Sequence, residues 1–127
     1  MKQTVVGTYE CSMERIRVSL RSGTGAAVLR PTDKCKNFEF VIGADYEYWW
    51  EVLDALFHET MEYCLDQLGC RFRKTNSMDC AHSNYNFIFD HLQFTEASAR
   101  ASYFMAESIP DVCTAWKKWH KKVKGKK

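Results

Sequence analysis

DYEYWWEVLDALFHETMEYCLDQLG, Asp45 to Gly69, is the longest stretch of helical period in the chain. At about 100° per residue, Tyr46, Trp49, Trp50, Leu53, Leu56, Phe57, Met61, Cys64 and Leu68 fall on one broad apolar face. Glu51, His58 and Glu62 line up on the other side, with Glu59 displaced from them. Asp45 is a suitable N-cap and Gly69 a suitable stop, so the spacing predicts one helix over 45–69. His58 and Glu62 are four apart, which sets their side chains one above the other. That is how a single helix offers an imidazole nitrogen and a carboxylate oxygen to one metal ion. It is equally the spacing of an ordinary exposed His/Glu pair.

On the N-terminal side of this helix the period changes to two. Thr4 to Tyr9 and Arg15 to Leu20 read as strands, the second alternating Ile16, Val18 and Leu20 with Arg15, Arg17 and Ser19. Arg21 to Gly25 reads as a loop from its Gly and Ser content, and Ala26 to Leu29 as a short strand stopped by Pro31. Phe38, Phe40 and Ile42 then alternate with Glu39 and Val41 up to Gly43. An antiparallel meander is the expected pairing of these strands.

On the C-terminal side, Arg71 to Ser83 is polar and reads as a loop, and the alternation from Tyr85 to Phe89 as a short strand. Asp90 and Gln93 have the spacing of a capping box. They predict a helix from His91 to about Ser108, whose Ala97, Ser98, Ala99, Ala101 and Ser102 suit close packing on another helix. Pro110 is expected to begin a last helix over 111–123, in which Val112, Trp116 and Trp119 pack while the lysines stay in water. The expectation is a single α+β domain over 1–127. It comprises a small antiparallel sheet, a central HExxE helix and two C-terminal helices, with a basic helix and tail at 111–127.

The 127 residues, 46% apolar and 14% aromatic, describe a folded chain with a real core. No run of about 18 apolar residues occurs, which excludes a membrane-spanning helix. The first residues meet charge too early for an export signal, so an intracellular, cytoplasmic setting is expected. The six cysteines are scattered without a CxxC and read as free thiols. Cys70, Cys80 and His82 lack the close spacing of a zinc knuckle. Seven lysines and no acid lie from Trp116 onward. Taking those seven from the net +2 leaves −5 on residues 1–115, an acidic body with a basic tail. No Gly-rich phosphate loop and no Ser/His/Asp or Cys/His arrangement is present, so nucleotide chemistry and thiol or serine hydrolysis are not expected.

The grouping with chemical potential is HETME. Glu59 follows His58 as the general base follows the first histidine of HExxH metallopeptidases, and Glu62 stands where the second histidine would be. Zinc needs a third ligand, and His82, His91 and Glu96 are the candidates. His91 is the best placed of these, at the first turn of a capped helix.

The order KNFEFVIG, then L-F-H-E-x-x-E, then D-H-L-x-F-x-E-A resembles small phage-encoded zincin-like proteins, a metallopeptidase-type family. In that family the helix reads LLHE(I/L)(I/L)(E/H)A, and a His or Glu just before the following helix completes the site. The resemblance spans about Arg15 to Met105. It implies a minimal zincin-like fold and a zinc ion held by His58, Glu62 and His91, with Glu59 as catalytic base. The substrate would be a peptide, in the bacterial cytoplasm of a phage host.

The rival expectation is a phage-encoded binding protein without turnover that inhibits a host defence or nucleic-acid-handling protein. Tyr46, Tyr48, Trp49 and Trp50 supply aromatic area for such a partner. Trp116, Trp119 and His120, interleaved with lysines, offer a surface for nucleic acid.

Overall fold

The computed structural model describes residues 3–73 and 85–124. Its elements in chain order are β1 (Gln3–Cys11), β2 (Glu14–Arg21), β3 (Ala26–Leu29), β4 (Phe38–Gly43), α1 (Trp49–Gln67), β5 (Arg71–Arg73), β6 (Tyr85–Phe87) and α2 (His91–Lys124). The class is α+β, as expected: a four-stranded sheet, then helices. Ile16, Val18 and Leu20 of β2 and Phe40 and Ile42 of β4 have no exposed surface. They form one core with Leu56 and Cys64 of α1 and with Ala101, Phe104 and Val112 of α2. Both helices therefore cover the same face of the sheet.

The sheet is mixed, not an antiparallel meander. Its order is β1-β2-β4-β3, with β2 and β4 parallel and β1/β2 and β3/β4 antiparallel. β4 is the most apolar strand, and its residues from Glu39 to Gly43 are all buried. An interior position with a partner on each side suits such a strand. β3, only four residues long, is left at the edge. The chain from β2 to β3 crosses the end of β4, and Gly43 makes the crossing feasible. A Cβ there would lie 2.5 Å from Thr24 Cα and 2.6 Å from the Gly23 carbonyl oxygen.

The sheet face away from the helices holds a buried carboxylate. Glu39, 5% exposed, accepts at one oxygen from Ser19 Oγ at 2.6 Å, Arg17 Nε at 2.8 Å and Gln3 Nε2 at 3.2 Å. Those donors offset the desolvation of the charge.

The β1–β2 hairpin turns on two residues, Ser12 and Met13, both at positive φ (53° and 71°). Two-residue hairpins require this backbone, and glycine or asparagine normally supplies it. A non-glycine residue there is held at a cost of about 1–2 kcal/mol, partly offset by the entropy a glycine would lose. Met13 is 97% exposed and so has no packing to lose. Met13→Gly is therefore expected to stabilise the protein by about 0.5–1 kcal/mol, raising Tm by about 2–4 °C in a calorimetric scan. An unchanged or lower Tm would show that the turn carries no such strain.

Helix α1 starts later than the sequence suggests. Its N-cap is Tyr48, whose backbone N–H is bonded by Glu51 Oε1 at 3.2 Å. Asp45 does not cap. It accepts from the Gly23 N–H and from Trp119 Nε1 at 2.9 Å, pinning the β2–β3 loop to α2. Gly69 ends α1 as expected. It sits at φ +77°, Gly69 N–H bonds the Asp66 carbonyl at 3.0 Å and Cys70 N–H bonds that of Leu65 at 2.9 Å, a Schellman arrangement. The buried stripe of α1 is Val52, Leu56, Thr60, Tyr63, Cys64 and Leu65. Trp50 and Phe57, expected on the core face, are 65% and 51% exposed. The apolar arc of this helix is wider than the sheet can cover. Thr60 fits inside because its hydroxyl bonds the Leu56 carbonyl at 2.7 Å.

The two expected C-terminal helices are one, α2, with Pro110 inside it. Proline removes the bond to the carbonyl four residues back and crowds it. Here Ala106 and Pro110 are both exposed, so water takes the freed carbonyl. The buried positions Ala97, Ala101, Phe104, Ser108, Val112 and Trp116 keep helical spacing straight through the proline. The capping box forms as expected: Gln93 N–H donates to Asp90 Oδ1 at 2.8 Å and Asp90 N–H to Gln93 Oε1 at 3.0 Å. Arg71–Arg73, expected in a loop, pairs antiparallel with β6 instead. The expected strand to Phe89 stops at Phe87, and the rest of the expected loop, 74–83, lies outside the described residues.

Candidate metal centre

An open cleft of about 880 Å³ lies along α1. Trp50, Glu51, Asp54, Ala55, His58, Glu59 and Glu62 form its floor. One wall is Gly25, Ala26 and Tyr46, from the edge of the main sheet and the start of the helix connection; the other is Arg71, Tyr85 and Phe87 of the β5/β6 ribbon. The first wall is fixed by hydrogen bonds: Gly25 N–H donates to Tyr46 Oη at 2.7 Å and Gly43 N–H to the Gly25 carbonyl at 2.7 Å. On the second, the Arg71 guanidinium lies 3.8 Å from the centre of the Tyr85 ring.

On the floor, His58, Glu59 and Glu62 each offer one ligand atom, and these atoms lie within 4.8 Å of one another. His58 Nε2 and Glu62 Oε2 are 3.3 Å apart. Zinc bonds of about 2.0–2.1 Å in tetrahedral geometry put neighbouring donors roughly 3.3 Å apart, so this pair is already spaced as two ligands of one ion. His58 is exposed and Glu59 and Glu62 are half-buried, which leaves the solvent side open for a further ligand. The donor set fits a divalent ion.

The cleft is electronegative. Four carboxylates (Glu51, Asp54, Glu59, Glu62) face one guanidinium, that of Arg71. Burial, and then the nearby Glu62 carboxylate, push the Glu59 carboxyl above its ordinary value, while His58 and Arg71 pull it partly back.

The structure thus brings together three of the four residues singled out in the sequence. His91 is elsewhere: it is exposed at the first turn of α2 and lies neither in the 4.8 Å cluster nor, among the described residues, in the cleft lining. Glu96 is bonded to Arg100 at 2.9 Å. His82 and Cys80 lie outside the described residues, and Cys70 is fully buried. Trp116 and Trp119 donate their indole N–H groups within the fold, to the Ala44 carbonyl at 3.1 Å and to Asp45 at 2.9 Å. Lys117, Lys118, Lys121 and Lys122 are exposed.

Asp54 lines the cleft as well. It lies three residues after Glu51 and four before His58, so the polar row it extends is visible in the spacing alone. Arg71, Tyr85 and Phe87 have no such local signal, because the ribbon that presents them is made by non-local pairing. Among the described residues no helix is long and apolar enough to cross a membrane. Searches against protein-family models, curated proteins and solved structures find no match to this chain.

Proposed function

We propose that this chain is a zinc-binding protein of zincin-like type, with a hydrolytic site for peptide bonds on the HETME turn of α1. The observation that carries the reading is the His58–Glu62 donor pair at 3.3 Å, with Glu59 beside it on the floor of an open cleft. His58 and Glu62 would hold the ion, and Glu59 lies close enough to act as base. A zinc ion there supplies a Lewis acid for a carbonyl oxygen.

The remaining steps belong to the chain. The Glu59 carboxylate accepts a proton from the attacking water at one oxygen and returns it to the leaving amine. Ala26 of β3 lines the cleft, and among the described residues β3 pairs on one side only, with β4. An extended peptide can therefore add to its free edge through main-chain hydrogen bonds. Trp50, Tyr46 and Phe87 then supply apolar area for its side chains.

The test is Glu59→Gln, assayed on unfolded protein substrates with products read by mass spectrometry. Turnover is expected to fall by about 10²–10⁴-fold with zinc content unchanged. Equal cleavage by wild type and variant would remove Glu59 from the chemistry.

A second reading, a phage-encoded binding protein that inhibits a host factor, is favoured by the apolar surface where β6 meets α2. Ile88 and Leu92 are 62% and 76% exposed, beside the stacked rings of Phe89 and Phe94. If wild type cleaves nothing and Leu92→Glu abolishes capture of a host protein while Glu59→Gln does not, this reading replaces the first.

A further inference from the structure

Cys11 ends β1 and Cys64 lies on the buried face of α1, and their sulfurs meet at 3.6 Å in the core. Both thiols are free, and they are 1% and 0% exposed. Cys11 directly precedes the Ser12–Met13 turn, whose two residues both lie at positive φ. Two buried hydroxyls without a hydrogen-bond partner, Ser12 Oγ and Tyr63 Oη, occur at the same place. Ser12 follows Cys11 directly, and Tyr63 precedes Cys64. The Arg100 guanidinium of α2 exerts its positive charge on both sulfurs.

A disulfide requires the sulfurs to close to about 2.05 Å with Cα atoms about 4.4–6.8 Å apart. The two sulfurs, 3.6 Å apart, need to approach by about 1.5 Å to bond. We propose that Cys11 and Cys64 form a disulfide on exposure to hydrogen peroxide, cross-linking the β1–β2 hairpin to the helix that carries HETME.

The chemistry balances with peroxide as the sole oxidant. One of the two sulfurs attacks a peroxide oxygen as its thiolate, the O–O bond breaks, and hydroxide leaves to take up a proton as water. The other sulfur then attacks that sulfenic acid, the S–O bond breaks, and the oxygen leaves as a second water carrying the second thiol's proton. Two thiols lose two electrons and peroxide gains them. The two sulfurs share one hydrogen bond, in which either can be the donor.

The test is made on the folded chain, in wild type and in a Cys35→Ser/Cys113→Ser variant that lacks the two half-buried thiols among the described residues. Each is treated with a small excess of hydrogen peroxide, denatured, alkylated and mapped. Fragmentation is needed because Cys64 and Cys70 share a tryptic peptide. Both proteins are expected to lose two thiols, to become lighter by two hydrogens and to yield the Cys11–Cys64 linked peptide. Tm should rise by roughly 10 °C and return with dithiothreitol. Cys11→Ala should yield no linked peptide containing Cys64 under the same treatment. Retention of all thiols in folded wild type, linkage between other cysteines, or no rise in Tm would overturn the proposal. If Cys11→Ala does not fold, the Cys35→Ser/Cys113→Ser protein carries the same decision alone.

Discussion

Replacing His58 by alanine is expected to lower zinc affinity by at least about a hundredfold, since loss of even an outer-shell partner of a ligand costs about 10–100-fold. The metal-free variant should melt within about 2 °C of wild type. The two partners' side chains are 65% and 43% exposed, and an exposed pair of this kind contributes about 0–1 kcal/mol. The two readouts separate a metal centre from an ordinary helix-surface ion pair, which would leave zinc binding untouched. Titration with zinc in a competing chelator measures the first and calorimetry the second. His91→Ala sharpens the result. If the ion is held by His58 and Glu62 without His91, His91→Ala leaves affinity unchanged. If the ligand set implied by the family resemblance applies, affinity falls as it does for His58→Ala.

Gly43→Ala is expected to be the most destabilising single methyl in the sheet, costing about 3 kcal/mol and lowering Tm by roughly 10 °C. A Cβ at this position meets Thr24 Cα at 2.5 Å and the Thr24 carbonyl carbon and Gly23 carbonyl oxygen at 2.6 Å, all of them backbone. The crossing loop has to lift, and with it goes the wall of the cleft that Gly25 and Tyr46 build. Gly25→Ala is the control. Its φ is +82° but nothing lies within 4 Å of the added carbon. It carries only the conformational cost of about 1 kcal/mol, leaving the crossing in place. Equal Tm losses for the two variants would show that the close crossing is not what fixes this loop.

The parts of the molecule that were readable in the sequence are those set by neighbours within a few residues. The Asp90/Gln93 box, the Gly69 stop and the His58/Glu62 pair all follow from helix geometry, and each forms. The four strands before the helix were readable because β2 and β4 have a period of two. Their pairing was not, since alternation identifies a strand's faces but not its neighbours. Only the crossing over Gly43 makes β2 and β4 parallel. The burial of α1 was misjudged for a related reason. Trp50 and Phe57 outrank Thr60 in hydrophobicity, yet the sheet is narrow and Thr60 satisfies its own hydroxyl within the helix. The exposed tryptophan then becomes part of the cleft. Pro110 reads as a helix start, and only the buried stripe from Ala97 to Trp116 shows that packing carries the helix past it. Of the site itself, the donor residues were legible and the cleft was not, because its walls come from the β3 edge and the β5/β6 ribbon.

The most direct measurement is zinc K-edge X-ray absorption on protein carrying one equivalent of zinc after gel filtration. A centre held by His58 and Glu62 predicts nitrogen and oxygen neighbours only, at about 2.0–2.2 Å, with the multiple scattering of a single imidazole. Sulfur neighbours at about 2.3 Å would place the ion on cysteines, and zinc stripped away on the column would mean the HETME turn holds none. Either result would contradict the assignment of a metal centre to α1.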